Sequence, residues 1–136
     1  MKKISLIVFL TLLSTTFYAQ QFITGLEFSK EKYENVTETV PLITRSVTSV
    51  PRSYSIKAYS PTPGNQGRQP SCVGWASGYG ARTIANAIKN GWANNTTKIN
   101  QNTFSPAFVY NLIKFKGDND CKRGSYIADA MKLLNT

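Results

Sequence analysis

Small and apolar residues recur every three to four positions after Ser71, which is the spacing of one helix face. Ser71 follows a proline, and its side chain can accept hydrogen bonds from the exposed amides of a first helical turn. Gly91 marks the helix end. The pattern predicts a helix over 71–90, with a packed stripe formed by Val73, Ala76, Gly80, Ile84 and Ala87.

Glycines occupy positions 74, 78 and 80 inside this predicted helix. Each costs roughly 1 kcal/mol relative to alanine in a helix interior. Their presence predicts a buried helix with close neighbours on several sides.

Two more helices are predicted towards the C-terminus. Ser105 can cap the first, with Pro106 at its first position, and Ser125 can cap the second. The predicted core stripes are Phe108, Leu112 and Phe115 in the first helix, and Ile127, Ala130, Met131 and Leu134 in the second. Stripes at this spacing are typical of core packing, so we assign them no ligand role.

The first 19 residues have the pattern of a secretory signal peptide. Lys2 and Lys3 form a positive start, an apolar run follows, and Ala19 ends a polar stretch before a cleavage site at Gln20. The run is short for a membrane span, and no cysteine follows it for a lipid anchor. We expect a secreted or periplasmic protein without a stable membrane anchor; the alternative is a buried N-terminal helix.

Residues 20–50 show no sustained period. The segments 36–40 and 42–47 could form short strands or belong to an extended linker or a propeptide-like segment. From Pro51 the chain is rich in proline and glycine, which oppose helix and favour an extended path. We therefore place the start of the domain at Pro51, so that it covers 51–136.

Composition narrows the chemistry of the 136 residues, which include two cysteines and no histidine. This excludes a Cys/His zinc site and a Ser-His or Cys-His pair completed within the chain. The net charge is +9, but the basic residues are scattered singly, so we predict no nucleic-acid partner. We predict no cofactor, and the oligomeric state is left open.

Cys72 falls in the first turn of the predicted helix. The unpaired amides and the positive end of the helix dipole favour a thiolate there, which is one route to a nucleophilic cysteine. Two alternatives stay open: a small buried core residue, and a disulfide with Cys121, as an exported protein could form.

Three segments resemble the papain-like cysteine peptidases in the same order. These are the stretch from Gln66 through Cys72 to Trp75, with its Pro-Thr-Pro-Gly-Asn lead-in, the stretch 104–110, and the glycine-bearing loop and helix at 120–134. The resemblance implies an α+β papain-like fold, of which this chain holds the mainly helical half behind an extended N-terminal segment. It implies a cysteine-type peptidase acting on a peptide or protein substrate.

The resemblance also implies roles for individual residues. Cys72 is the nucleophile, and the side-chain amide of Gln66 and the backbone N–H of Cys72 donate to the oxyanion. Gly124 pairs backbone to backbone with an extended substrate. Ser125 and Tyr126 lie beside the specificity pocket without an assigned role.

The chain departs from the family pattern at several positions. Gln69 stands where a cysteine would bridge to Cys121, Val73 stands where a tryptophan is common, and Arg123 stands where a second glycine is common. The histidine and asparagine of such enzymes lie 130–150 residues after the cysteine, beyond Thr136. We therefore expect an inactive N-terminal part of a longer exported peptidase; the alternative is a catalytically silent binding module.

Overall fold

The computed structural model describes residues 24–36 and 51–135. The predicted signal peptide at 1–19 and the predicted strand segments after Val36 lie outside the described residues. Within them the protein is mainly helical, and the β-structure is an isolated parallel bridge between Leu26 and Ser125. In the described ranges no helix combines the length and apolar character needed to cross a membrane.

The helices follow the chain in this order: α1 Lys30–Glu34, a 3₁₀ turn Lys57–Tyr59, α2 Cys72–Gly74, a π-helical segment Trp75–Arg82, α3 Thr83–Lys89, α4 Thr96–Gln101, α5 Pro106–Ile113 and α6 Ile127–Leu134. The run from Cys72 to Lys89 is uninterrupted, and we call it the central helix. Its extent confirms the predicted helix, which Gly91 ends with a φ of 65°.

The buried face of the central helix differs from the predicted stripe. Its buried members are Val73, Gly74, Ser77, Gly78, Thr83 and Ala87, whereas Ala76, from the predicted stripe, is exposed. The reason is the π-helical segment, in which bonds run from residue i to i+5 and the buried face advances by more residues per turn. A stripe drawn at ordinary α-helical spacing is therefore right at Val73 and Ala87, which are buried, and wrong at Ala76.

Glycines allow α5 to approach the central helix closely, as predicted. A Cβ on Gly74 would lie 2.5 Å from the carbonyl oxygen of Pro106, and one on Gly78 would lie 2.9 Å from a methyl group of Val109. A Cβ on Gly80 would meet only ordinary contacts, with the carbonyl oxygen of Trp75 at 3.5 Å. The core beside the glycine contacts consists of Val73, Val109 and Ala130, flanked by Ile113, Leu133 and Leu134.

One predicted stripe is wrong in phase, and another is right in part. In α5, Phe108 and Leu112 are exposed, and Val109 and Tyr110 are buried instead. In α6 the prediction is right for Ala130, which is buried, and for Leu134, which packs half-buried against the core, but Ile127 and Met131 are exposed. The sequence of α5 is apolar at almost every position, so more than one phase satisfies a helical period, and contact with the central helix selects one.

One of the three predicted serine caps is confirmed. Ser105 Oγ accepts a hydrogen bond from Phe108 N at 3.2 Å. Ser71 caps no amide of the described helix, and α6 begins after Tyr126 rather than Ser125. Within the described part of the chain, the hydroxyls of Ser71 and Ser125 are buried without a hydrogen-bond partner. An unsatisfied buried polar group costs about 1–3 kcal/mol, so neither serine stabilises its helix in the way expected.

Two short helices carry no apolar signal in the sequence. Asn95 caps α4 by accepting from Lys98 N at 3.1 Å, and Ile99 is the buried side chain of that helix. Ser29 caps α1 in the same way, accepting from Lys32 N at 3.3 Å. Neither helix is long enough to show an apolar period, so only the capping residues could have indicated them.

Candidate active site

Cys72 is the first residue of the central helix and is half-buried. The first amides of a helix have no partner within it and point towards this end. Both cysteines of the protein are free, so the alternative of a Cys72–Cys121 disulfide does not apply to this structure.

Gln66 presents its amide to the sulfur of Cys72. Its Nε2 donates to Cys72 Sγ at 3.2 Å and to the carbonyl oxygen of Gln69 at 2.6 Å. Because the Gln69 carbonyl can only accept, it selects the orientation in which the NH₂ group, not the oxygen, faces the sulfur. The structure thus brings together the two residues that the sequence pairs by resemblance.

The lead-in to Gln66 is anchored by two residues for which the sequence predicts no role. Asn100 accepts from Thr62 N at 2.9 Å and donates to Thr62 Oγ1 at 2.8 Å, and Tyr79 OH donates to Thr62 O at 2.6 Å. Asn100 lies on α4, a helix without a sequence signal beyond its cap. Tyr79 and Asn100 therefore act as positioning residues for the Gln66 segment.

Gly124 and Ser125 form the opposite wall of a cleft whose first wall is the segment 70–72. The backbone of Ser125 makes the pairing, since its N donates to Gly25 O and its O accepts from Glu27 N, both at 3.0 Å. Gly124 allows the backbone of Gly25 to approach this wall closely, because a Cβ at position 124 would lie 2.6 Å from Gly25 O. These backbone bonds belong to Ser125, and the predicted pairing of Gly124 with a substrate stays a prediction.

Residues 24–27, which we call the strap, lie between these two walls. Gly25 N donates to Cys72 Sγ at 3.3 Å, while Gly25 O accepts from Ser125. The strap belongs to the stretch predicted as a linker or propeptide-like segment, in which no residue is singled out. A lone glycine in an aperiodic stretch gives no local signal of such a contact.

Tyr110 holds the loop that carries Gly124. Its buried hydroxyl donates to Arg123 O at 2.7 Å and lies 3.3 Å from Asp118 Oδ2. Burial raises the pKa of Tyr110 to about 12, and the negative charge of Asp118 acts in the same direction. Tyr110 is therefore a neutral donor at physiological pH.

Asp118 organises the same loop. Burial alone would raise the pKa of its carboxyl, but hydrogen bonds from the backbone N–H groups of Lys122 and Arg123, from Tyr110, and the charge of Lys114 lower the pKa overall. The carboxylate is thus stabilised by the fold around it.

Cys121 belongs to this loop and not to the cleft. It has a left-handed backbone with a φ of 52°, and its sulfur lies 3.3 Å from Lys114 Nζ. Tyr126 packs edge-on against Phe115 at 5.3 Å between ring centres. Among the described residues, no cluster of three or more His, Cys, Asp or Glu side chains could hold a metal ion.

Comparisons of the chain with family models, with curated proteins and with solved structures found no match. The resemblance to papain-like peptidases accordingly stays a prediction, and any function assigned to the protein rests on the geometry of the cleft.

Proposed function

We propose that this protein supplies the nucleophile and an oxyanion donor of a papain-like cysteine-type peptidase that acts on peptide or protein substrates after export. The observation that carries the proposal is the 3.2 Å contact between Gln66 Nε2 and Cys72 Sγ at the start of the central helix. A neutral donor beside a nucleophile suits acyl transfer, because negative charge develops on the carbonyl oxygen during attack.

In the proposed reaction the sulfur of Cys72 attacks a peptide carbonyl carbon, and the π electrons move to the oxygen. The Gln66 amide and the Cys72 backbone N–H stabilise that oxyanion. The C–N bond then breaks, and the amine leaves with the proton that the thiol gave up to the base. Water then hydrolyses the thioester to a carboxylic acid and the free thiol. None of the 136 residues is a histidine, so a histidine base would come from outside them.

A peptide aldehyde tests the oxyanion donor without needing a base. It adds reversibly to Cys72 by forming a C–S bond, and its carbonyl oxygen takes up the negative charge and then a solvent proton. Gln66→Ala in the full chain is expected to weaken aldehyde binding by about a hundredfold, which is the lower end of the factor by which the loss of an oxyanion donor lowers kcat.

Gln69→Ala is the matched control, because it keeps the backbone carbonyl that orients Gln66. Its aldehyde affinity is expected to equal that of the wild type. Equal aldehyde binding by Gln66→Ala and Gln69→Ala would favour the catalytically silent binding module.

A further inference from the structure

We propose that Trp75 is a positioning residue for the oxyanion donor, because its ring seats the segment 62–66 that presents the amide of Gln66 to Cys72. The role of that amide as an oxyanion donor rests on the proposed function. The contact between the ring and the segment stands on its own geometry. Trp75 belongs to the stretch that carries the resemblance, but the resemblance gives it no role.

The ring of Trp75 lies directly against the backbone of Gly64. A Cβ at position 64 would overlap Cζ3 of the ring and would lie 2.6 Å from Cη2. These two atoms belong to the outer, six-membered part of the indole, so the far end of the Trp75 side chain makes the contact. Glycine at position 64 therefore lets the chain rest directly on the ring.

The ring is supported by its own helix. Trp75 and Tyr79 are one turn apart on the central helix, and their ring centres lie 4.9 Å apart at an interplanar angle of 55°. Tilted arrangements of this kind are favoured by the charge distribution of aromatic rings. Trp75 is half-buried, and its backbone N donates to Ser71 O at 3.1 Å. Trp75 therefore offers a supported surface and not a freely rotating side chain.

The same pair of rings holds the segment at a second point. Tyr79 OH donates to Thr62 O at 2.6 Å, two residues before the contact of Gly64 with Trp75. The central helix carries Cys72 at its start and both rings further along. The nucleophile and the seat of its donor thus belong to one packed element, which fixes the distance between them.

A short turn connects Gly64 to Gln66. Asn65 is the residue between them, and its Oδ1 accepts from Gly67 N at 2.8 Å, which closes the turn around Gln66. Gln66 Nε2 lies 3.2 Å from Cys72 Sγ. A misplacement of about 1 Å at a catalytic group can cost about a hundredfold in rate. A shift of the backbone at Gly64 therefore moves the donor without touching the sulfur.

The first experiment observes the Gln66 amide in the full chain. Its side-chain NH₂ signals in a proton–nitrogen correlation spectrum are those that Gln66→Ala lacks. Trp75→Ala is expected to shift them towards the positions of a free glutamine, because the amide loses its place beside Cys72. Trp92→Ala is the matched control, since this ring packs beneath Lys98 Nζ at 5.1 Å, and it is expected to leave them in place. Unmoved signals in Trp75→Ala, or equal shifts in both variants, would overturn the proposal.

The second experiment asks whether Trp75 acts through Gln66. Trp75→Ala is expected to weaken binding of the peptide aldehyde by about tenfold, less than loss of the donor itself. The double variant Trp75→Ala/Gln66→Ala is expected to bind no more weakly than Gln66→Ala, because no amide is left to position. Losses that multiply in the double variant would show that Trp75 acts through the fold, and they would overturn the proposal.

Gly64→Ala tests the contact from the other side and serves if Trp75→Ala does not fold. Gly64 is exposed, so its methyl group pushes the segment off the ring without entering the core. It is expected to shift the Gln66 signals and to weaken aldehyde binding by about tenfold. Adding Trp75→Phe vacates the space that the methyl group needs, so the double variant is expected to bind more tightly than Gly64→Ala alone. Equal or weaker binding would contradict the seat.

The spectrum does not depend on peptidase chemistry, which separates the two proposals. If Gln66→Ala leaves aldehyde binding unchanged while Trp75→Ala moves the Gln66 signals, the proposed function fails and the positioning of Gln66 by Trp75 stands. If Gln66→Ala weakens aldehyde binding while Trp75→Ala moves no Gln66 signal, the oxyanion donor stands and the positioning role of Trp75 fails.

Discussion

At the scale of single residues, serine shows how one residue type fulfils different roles. Ser105 caps α5, because its φ of −69° and ψ of 118° turn its side chain towards the first amides. Ser71 has a φ of −105° and a ψ of 23°, and its hydroxyl is buried without a partner among the described residues. The backbone conformation before the first turn therefore distinguishes the two serines. The extended backbone of Ser105 lets its side chain cap the helix, whereas the backbone of Ser71 does not.

Ser105→Ala is expected to lower the free energy of unfolding by about 1 kcal/mol, because it removes a cap. Ser71→Ala is expected to be neutral or stabilising, because it removes an unsatisfied buried hydroxyl. Urea unfolding of the two variants and the wild type measures the difference. A larger loss of stability for Ser71→Ala would show that its hydroxyl has a partner in solution.

At the scale of elements, the π-helical segment sets the geometry of the central helix. It allows Gly74 and Gly78 to face α5 while Thr83, five residues later, donates to Gly78 O at 3.4 Å and accepts from Phe104 N at 3.0 Å. An α-helix of the same sequence would rotate these residues away from one another. The π-helical segment thus holds the central helix against α5 and against Phe104, which precedes α5.

Gly74→Ala and Gly80→Ala separate packing from helix propensity. Gly74→Ala is expected to destabilise the protein by about 1–3 kcal/mol, because its Cβ would press on Pro106 O. Gly80→Ala meets only ordinary contacts and is expected to stabilise it by up to about 1 kcal/mol. Thermal unfolding checks the opposite signs, and destabilisation by both would mean that the π-helical segment itself requires glycine.

At the scale of the whole molecule, the Gly124 loop links the helical core to the strap. Tyr110 on α5 holds Arg123, two residues before Ser125, and Ser125 pairs with the strap. Asp118 accepts hydrogen bonds from Lys122 N at 3.1 Å and Arg123 N at 3.3 Å. The carboxylate of Asp118 therefore stabilises the loop that forms one wall of the cleft.

The lowered pKa of Asp118 predicts acid lability. Its stabilising contribution is present above the ordinary value of 3.8 and is lost as the pH falls through the lower folded-state value. Asp118→Asn is expected to be less stable than the wild type at neutral pH, and the difference is expected to narrow below pH 3.8. Urea midpoints across this range measure it.

Asp120→Asn is the control on the same loop. Asp120 pairs only with Lys122 among the ion pairs of the described residues, and both side chains are exposed, at 68% and 74%. Its substitution is expected to change stability little at any pH. If the stability difference from the wild type narrows at low pH to a similar extent for both variants, the net charge of the loop, rather than the hydrogen bonds of Asp118, causes the acid lability.

The amino-acid sequence by itself determined the extent of the central helix, its end at Gly91, the Ser105 cap and the position of Cys72 in a first turn. These features depend on neighbours within a few residues, which local patterns describe. It also paired Gln66 with Cys72 through a resemblance, and the two side chains do meet.

Tertiary structure decided the buried faces, the π-helical register, and the strap. The contact of Gly25 with Cys72 joins residues 47 positions apart, and nothing near Gly25 in the chain indicates it. In α5, several phases of an apolar pattern are equally helical, and only contact with the central helix distinguishes them. Which face of a helix is buried depends on the segments that pack against it, and these segments are distant in the sequence. A local sequence pattern holds no information about them.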